Sequence, residues 1–149
     1  HGYVGRAQRV IDENPCIDVL IHLGDYLRDA RKLSLAYPEL RVEYVYGNCD
    51  FSVDDAPDEK MLEYYGKRIL ITHGHRYAVK QDYSKLHLRA RELKLDMLLF
   101  GHTHRADYLE YAEYCLLNPG SLGEPRGSGR SYALIELEKD FMHARIIYV

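Results

Sequence analysis

The sequence predicts an α/β fold in which two sheets pack together with helices on the outside, as a sandwich of several layers. From the start of the chain to about residue 100, segments with helical periodicity alternate with short, almost continuously apolar runs. Such runs between helices are typical of buried parallel strands. Beyond this point the pattern changes to that of β-hairpins. The last third of the chain is therefore expected to add antiparallel strands to the sandwich.

The first part of the chain alternates helices with strands. The helix predicted over residues 3 to 13 carries its apolar residues on one face: Val4, Ala7, Val10 and Ile11. DVLIHLGD, residues 18 to 25, is an almost wholly apolar strand, and residues 29 to 36 form a second helix. RVEYVYGNCD, residues 41 to 50, is a second strand that ends in Gly, Asn and Asp.

The second part continues with strands, one more helix and two hairpins. Residues 59 to 75 read as two strands around a Gly66-Lys67 turn. The helix predicted over residues 82 to 95 has one apolar side: Tyr83, Leu86, Ala90 and Leu93. The strand MLLF follows at 97 to 100, and the hairpins occupy residues 107 to 121 and 131 to 149.

Length and composition limit the classes of function. The 149 residues contain no repeat, low-complexity tract or linker, so residues 1 to 149 are expected to form a single domain. The formal charge of 20 − 23 = −3 lacks the global basic field of a nucleic-acid-specific protein. No apolar run approaches the roughly 18 residues of a membrane span. The three cysteines are scattered, which indicates reduced thiols and a cytoplasmic location rather than a disulfide framework.

Polar clusters follow four of the predicted strands. Asp25 follows the first strand, Asn48 the second, His73 and His75 the fourth, and the LFGHTH segment at 99 to 104 the fifth. Most of these clusters contain glycine, which lets the backbone turn sharply and approach a ligand closely. The carboxyl ends of neighbouring parallel strands meet at one crevice, so we expect these side chains to converge.

The residue types in these clusters point to metal binding. Asp, Asn and His present oxygen and imidazole donors without thiolate, a set that suits Mn, Fe, Zn, Ni or Co. His102 and His104 are spaced to lie on the same side of an extended segment, where they can reach two adjacent ions. Singly, Asp25 or Asn48 is an ordinary turn residue, and a lone histidine is more often structural. Four polar clusters, each at the end of a predicted strand, favour the metal site.

These clusters make the sequence similar to the calcineurin-like metallophosphoesterase superfamily. The matching motifs, in order, are HG at 1 to 2, GD at 24 to 25, GNCD at 47 to 50, THGH at 72 to 75 and GHTH at 101 to 104. The variants GNCD and NPGSLGEPR, the latter at 118 to 126, resemble the small bacterial and archaeal phosphodiesterase branch of the YfcE type. The resemblance implies a four-layer α/β/β/α sandwich.

The resemblance also implies a ligand set and a reaction. One divalent metal would be held by His1, Asp25 and His104, and a second by Asp25, Asn48, His73 and His102, with Asp25 as the bridge. Manganese is the expected metal, with Fe, Zn, Ni or Co as alternatives. A hydroxide between the two ions would attack the phosphorus of a phosphodiester in line with the departing oxygen.

Further residues are expected to take part in the reaction. Asn48 is expected to act in catalysis as well as in metal binding, and His75 is close enough in sequence to the second metal site to orient water or phosphate. Arg126 could contact phosphate through its fork of donors, although an exposed loop arginine is at least as good an interpretation. Cys49 stands where many relatives have a histidine that helps to stabilise the reacting phosphate or to protonate the leaving group. Because a thiol is a weaker donor, we expect a preference for esters of acidic alcohols.

The chain departs from the family pattern at its beginning. The aspartate expected two residues before His1, and the strand that should carry it, are not in the sequence. We therefore expect the protein naturally to carry an upstream apolar strand ending in Asp-x-His.

The sequence leaves several functional alternatives open. The retromer scaffold subunit resembles the same fold and serves as a protein-interaction platform, so a non-catalytic scaffold is the competing class. The substrate is expected to be a small phosphate ester, with nucleotides and cyclic nucleotides as open choices. Specific nucleic-acid and membrane binding are not expected, and a homo-oligomer is compatible with the sequence.

Overall fold

The computed structural model describes residues 4 to 51, 56 to 127 and 129 to 149. The helices in these ranges are α1 (Val4–Glu13), α2 (Leu27–Ala36) and α3 (Ser84–Glu92), and a single 3₁₀ turn covers His75–Tyr77. The strands are β1 (Val19–His22), β2 (Arg41–Tyr44), β3 (Glu59–Tyr64), β4 (Lys67–Thr72), β5 (Met97–Leu99), β6 (Ala106–Glu110), β7 (Cys115–Pro119), β8 (Ser131–Glu138) and β9 (Phe141–Tyr148).

These strands form three groups. β1 and β2 pair in parallel, and β8 and β9 form an antiparallel hairpin. The remaining five strands make one sheet with the order β3-β4-β5-β7-β6. Within that sheet β4, β5 and β7 run parallel, so the carboxyl ends of β4 and β5 lie at the same edge.

The two faces of β5 show how the layers are stacked. Met97 and Leu99 face an apolar core that also contains Val45, beyond the end of β2, and Ala144 of β9. The alternate residue Leu98 faces a second core, against α3. Because side chains alternate across a strand, a strand buried on both faces must lie between two layers. Helices α1 and α2 contact each other, and α2 contacts β2, on the opposite side from α3. The predicted α/β sandwich is confirmed.

Several element boundaries differ from those predicted. The first strand stops at His22 because Gly24 and Asp25 adopt positive φ angles of 90° and 60°, which break the ladder. The turn between β3 and β4 lies one residue earlier than predicted. Tyr65 and Gly66 both have positive φ values, 51° and 78°, between the paired Tyr64 and Lys67, as a two-residue type I′ turn requires.

The helices are short. The longest described helices have ten residues, and none in the described part of the chain has the length and apolar character of a membrane span.

Candidate functional site

Asp25 lies just after β1 in a conformation that few residues other than glycine adopt. Its φ is 60°, its side chain is buried, and its Oδ1 accepts the backbone N–H of Cys49 at 2.9 Å. A Cβ atom at Gly47 would lie only 2.2 Å from the same oxygen. Glycine at position 47 is therefore required for the loop after β2 to reach Asp25.

Asp50 fixes this loop to the start of α2. Its Oδ1 accepts the backbone N–H of Leu27 at 2.8 Å, and its Oδ2 accepts that of Gly47 at 2.9 Å. The carboxylate thus caps the first turn of α2, where the helix dipole favours a negative charge. The sequence marks Asp50 only as a strand-end residue, and its positioning role depends on the approach of α2.

Three of the predicted strand-end side chains meet at the Nε2 atom of His73. This atom lies 3.2 Å from Oδ1 of Asn48 and 3.1 Å from Nδ1 of His102. It lies 3.5 Å from Oδ1 of Asp25. His73 itself is almost completely buried at the end of β4. The structure therefore brings together Asp25, Asn48, His73 and His102, which were expected to converge because each follows a strand. The strands belong to two groups, with β1 and β2 in one and β4 and β5 in the other.

The tautomer of His73 determines what its Nε2 atom can bind. Nδ1 lies 2.7 Å from the carbonyl oxygen of Leu23, which can only accept, so Nδ1 carries a proton. Burial lowers the pKa of His73, although Asp25 opposes this effect. The ring is therefore neutral near pH 7, and Nε2 presents a lone pair toward the oxygens of Asn48 and Asp25.

This donor set fits a divalent cation. An imidazole nitrogen, an amide oxygen and a carboxylate oxygen face one another, and a cation satisfies all three lone pairs at once. Ligands about 2.1 Å from a common ion lie roughly 3 Å apart when they are at right angles, which matches the spacing around His73. In the described ranges, His, Cys, Asp and Glu side chains alone form no group of three that could hold a metal. The close set therefore includes the amide of Asn48.

His102 and His104 lie on a strained loop after β5. Their φ values are 67° and 58°, in the left-handed region that costs about 1 kcal/mol or more for residues other than glycine. His104 donates from Nδ1 to the carbonyl oxygen of Glu124 at 2.7 Å, which orients the ring. Both histidines line the same cavity as Asp25 and His73. Burial, followed by the proximity of His73, lowers the pKa of His102 to about 4, so this ring is also neutral near pH 7.

Asn118 holds this strained loop in place. It is fully buried at the end of β7, and its Nδ2 donates to the carbonyl of Gly101 and to Oγ1 of Thr103, both at 3.0 Å. Its Oδ1 accepts the backbone N–H of Gly120 at 3.0 Å. Sequence reasoning did not give Asn118 a role of its own. The sequence marks this position only through the NPG segment at 118 to 120, at the end of β7.

His75 lies beside this group of donors. Its ring centroid is 5.3 Å from that of His73 and 6.2 Å from that of His102. Its Nδ1 is buried without a hydrogen-bond partner among the described residues. Burial, and then the charge of Arg76, lowers the pKa of His75. His75 therefore offers a neutral imidazole to a molecule bound at the site.

Cys49 and Arg126 are the other predicted site residues that the structure describes. Cys49 is exposed, and its Sγ lies 3.5 Å from Nδ2 of Asn48. Partial loss of contact between the thiol and water, and then the charge of the neighbouring Asp25, raise the pKa of Cys49, so it remains a thiol near pH 7. Arg126 is exposed, and its backbone N–H donates to the carbonyl of His104 at 2.9 Å. His1 lies outside the described residues.

Residues 1 to 140 match the family model described as the calcineurin-like phosphoesterase superfamily domain. A relative from Bacillus subtilis, named "Probable metallophosphoesterase YsnB", is 36% identical over 143 residues, which cover 94% of this chain and 81% of the relative.

Solved structures share the fold. A predicted phosphoesterase from Streptococcus pneumoniae has a TM-score of 0.81 at 28% identity, covering 99% of this chain and 84% of its own. The Escherichia coli phosphoesterase YfcE has a TM-score of 0.64 at 22% identity, over 87% of this chain and 79% of its own. Wild-type Vps29 from Entamoeba histolytica, complexed with Zn²⁺, has a TM-score of 0.72 at 20% identity, over 94% of this chain and 88% of its own.

Proposed function

This chain belongs to the calcineurin-like phosphoesterase superfamily, and from this premise we propose that it is a metal-dependent phosphodiesterase. The proposal is supported chiefly by the convergence on Nε2 of His73, where Asn48 and His102 lie within 3.2 Å. A cluster of neutral imidazole and oxygen donors at strand ends has the chemistry of a divalent-metal site.

We assign the ligands to two ions that share Asp25. His73, Asn48 and His102 would hold one ion with Asp25. His104 would hold the other, together with Asp25 and the predicted ligand His1. Manganese is the first choice because the donors are imidazole nitrogens and hard oxygens without thiolate. Bound ions would supply Lewis-acid stabilisation of the phosphoryl oxygens and would acidify a water molecule.

The chain's own residues contribute orientation and charge. The carbonyl of Leu23 fixes the His73 ring, and the carbonyl of Glu124 fixes the His104 ring, in the way that outer hydrogen bonds orient metal ligands. The buried Asp25 brings the negative charge that offsets bound cations. Because these contacts exist before any substrate binds, little reorganisation would be needed during the reaction.

Three further residues would act on the substrate itself. His75 would orient water or a phosphoryl oxygen with its neutral ring, and Arg126 could reach the phosphate from the loop beside His104. Cys49 occupies the place of a leaving-group acid but, with its raised pKa, is a poor proton donor. The expected substrates are therefore small phosphodiesters whose leaving alcohol is acidic.

A non-catalytic interaction scaffold is the second candidate. The similarity to Vps29 in fold favours it, since a shared fold does not fix function. The chain nevertheless retains Asp25, Asn48 and His102, each with an atom within 3.5 Å of Nε2 of His73. A scaffold needs no such convergence of acceptor atoms, so we favour the enzyme.

A substrate panel tests this choice. Metal-stripped protein is assayed with p-nitrophenyl phosphate and bis(p-nitrophenyl) phosphate, each with Mn²⁺, Zn²⁺, Ni²⁺, Co²⁺ or Mg²⁺ added. We expect hydrolysis of the diester, greatest with Mn²⁺. Hydrolysis of the monoester alone would contradict the diesterase assignment, and the absence of turnover with every ion would favour the scaffold.

A further inference from the structure

We infer that Tyr46 and Arg76 form the subsite for an ester group of the substrate, and that this subsite favours a planar aromatic group over an alkyl group. The inference rests on the proposed phosphodiesterase function. It adds a class of substrate that the convergent donors around His73 do not specify.

Tyr46 stands next to the donor group on the side of His75. It lies two residues beyond the end of β2 and is half-buried. Its ring centroid is 5.9 Å from that of His75, whose ring is in turn 5.3 Å from that of His73. One ring therefore separates Tyr46 from the candidate metal ligands. A group attached to a phosphate bound beside His73 and His75 would extend toward this position.

Arg76 is fixed against Tyr46 although its side chain is 61% exposed. Its NH2 nitrogen donates to the hydroxyl of Tyr46, and its guanidinium carbon lies 5.6 Å from the centre of the Tyr46 ring. Its NH1 nitrogen donates to Oδ2 of Asp58 at 2.6 Å. A long exposed arginine is normally free to change rotamer, so three contacts at one guanidinium indicate a preorganised group.

Asp58 is itself anchored to the sheet. Its backbone carbonyl accepts the hydroxyl of Thr72 at 3.1 Å, and its Oδ1 accepts the backbone N–H of Glu59 at 3.1 Å. The backbone N–H of Tyr46 donates to the carbonyl of Pro57 at 3.0 Å. Both sides of the Tyr46–Arg76 pair are therefore tied to the short segment that leads into β3.

The charge balance favours an aromatic partner over a second anion. The carboxylate of Asp58 offsets the charge of Arg76 at contact distance, which weakens attraction for another phosphate or carboxylate. The faces of a tyrosine ring and of a guanidinium instead stack on planar groups, and this interaction does not require a net charge. The pair is therefore suited to an aryl ring or a nucleobase carried by the ester group.

Direct binding of two matched ligands tests the inference. Phenyl phosphate and cyclohexyl phosphate have the same charge and similar size, but only phenyl phosphate has a planar ring. Calorimetric titration into the Mn²⁺-loaded protein should give about tenfold tighter binding of phenyl phosphate, the scale of one ring stacked on an aromatic side chain. Inorganic phosphate, titrated separately, reports on the phosphate site alone.

Variants then assign the preference to this pair. Tyr46→Leu should reduce the ratio of phenyl phosphate affinity to cyclohexyl phosphate affinity to about one, while the affinity for inorganic phosphate is unchanged. Arg76→Lys keeps the positive charge but removes the planar guanidinium, so it should also lower this ratio. Tyr111→Leu, which removes an exposed tyrosine after β6, serves as the control and should leave it unchanged. If Tyr46→Leu fails to fold, as judged by circular dichroism, Arg76→Lys alone decides.

The outcomes distinguish a failure of the Tyr46–Arg76 subsite from a failure of the proposed phosphodiesterase function. If phosphate binds with Mn²⁺ but the wild-type ratio is near one, or the ratio survives both substitutions, the inference is wrong and the proposed function stands. If phosphate does not bind and no diester is hydrolysed, both are wrong.

Discussion

The Nε2 atom of His73 lies 3.2 Å from the Oδ1 atom of Asn48, and both atoms present lone pairs. Because Nδ1 of His73 already donates to Leu23, a shared cation is the natural way to satisfy this contact. We therefore expect Mn²⁺ at a hundred times its dissociation constant to stabilise the metal-free protein by about 2.7 kcal/mol. Its melting temperature should rise by roughly 5 to 10 °C.

Thermal denaturation with and without Mn²⁺ measures this shift. Asn48→Ala, which removes one of the two facing atoms, should show a clearly smaller rise. An equal rise in both proteins would indicate that the stabilising ion binds elsewhere.

Asp25→Asn should separate folding from metal binding. The asparagine keeps an oxygen for the N–H of Cys49, and asparagine tolerates the left-handed backbone, so the protein should fold. Loss of the charge that offsets the cations should lower metal affinity and diester turnover by about a hundredfold or more. Asp29→Asn is the matched control, since Asp29 is as buried as Asp25 at 6% exposure. Metal content by elemental analysis and turnover are measured for both, and equal losses would remove the special role of Asp25.

Gly47→Ala should abolish activity through a steric clash. The added Cβ would lie 2.2 Å from Oδ1 of Asp25, which is too close for two atoms that are not bonded. Either the carboxylate or the loop after β2 must therefore move. Gly5→Ala is the control, because no atom lies within 4 Å of its added Cβ and alanine is favoured in a helix. We expect Gly5→Ala to retain turnover and gain up to about 1 kcal/mol of unfolding free energy. Full activity in Gly47→Ala would show that the close approach of this loop is not needed.

Cys49→His should change the dependence on the leaving group. A histidine at this exposed position beside Asn48 can donate a proton that the thiol, with its raised pKa, gives up poorly. Alkyl esters should then be hydrolysed about tenfold faster or more relative to aryl esters, within the range of general-acid catalysis. Cys16→His, at another exposed cysteine, is the comparison. If the aryl-to-alkyl ratio is the same in all three proteins, Cys49 takes no part in leaving-group departure.

Most of the fold follows from local patterns. β5 could be predicted because Met97, Leu98 and Leu99 are all apolar, as a strand buried on both faces requires. Other strands were misjudged at their ends: the predicted strand at 18 to 25, for example, stops at His22. The left-handed backbone of Asp25 ends that strand, and an aspartate gives no clear sequence signal for this conformation.

The site was predictable to the extent that it depends on strand ends. That Asp25 lies near Asn48, and His73 near His102, follows from a rule about where neighbouring parallel strands finish. The meeting of these two pairs depends on how two separate groups of strands pack together. The contacts that support the site could not be predicted in this way. Asn118 holds Gly101 from 17 residues away, and such contacts depend on how two loops approach in space rather than on a periodic pattern.

The measurement that most directly tests the proposed function is turnover of bis(p-nitrophenyl) phosphate during removal and return of metal. The protein is dialysed against a chelator, its metal content is confirmed as negligible, and Mn²⁺ is then titrated back while nitrophenolate release is followed. We predict no turnover without metal and recovery that saturates as Mn²⁺ occupies the site, with turnover in Asp25→Asn lower by about a hundredfold or more. Full turnover in the metal-free protein, or no turnover at any Mn²⁺ concentration, would contradict a metal-dependent phosphodiesterase centred on His73.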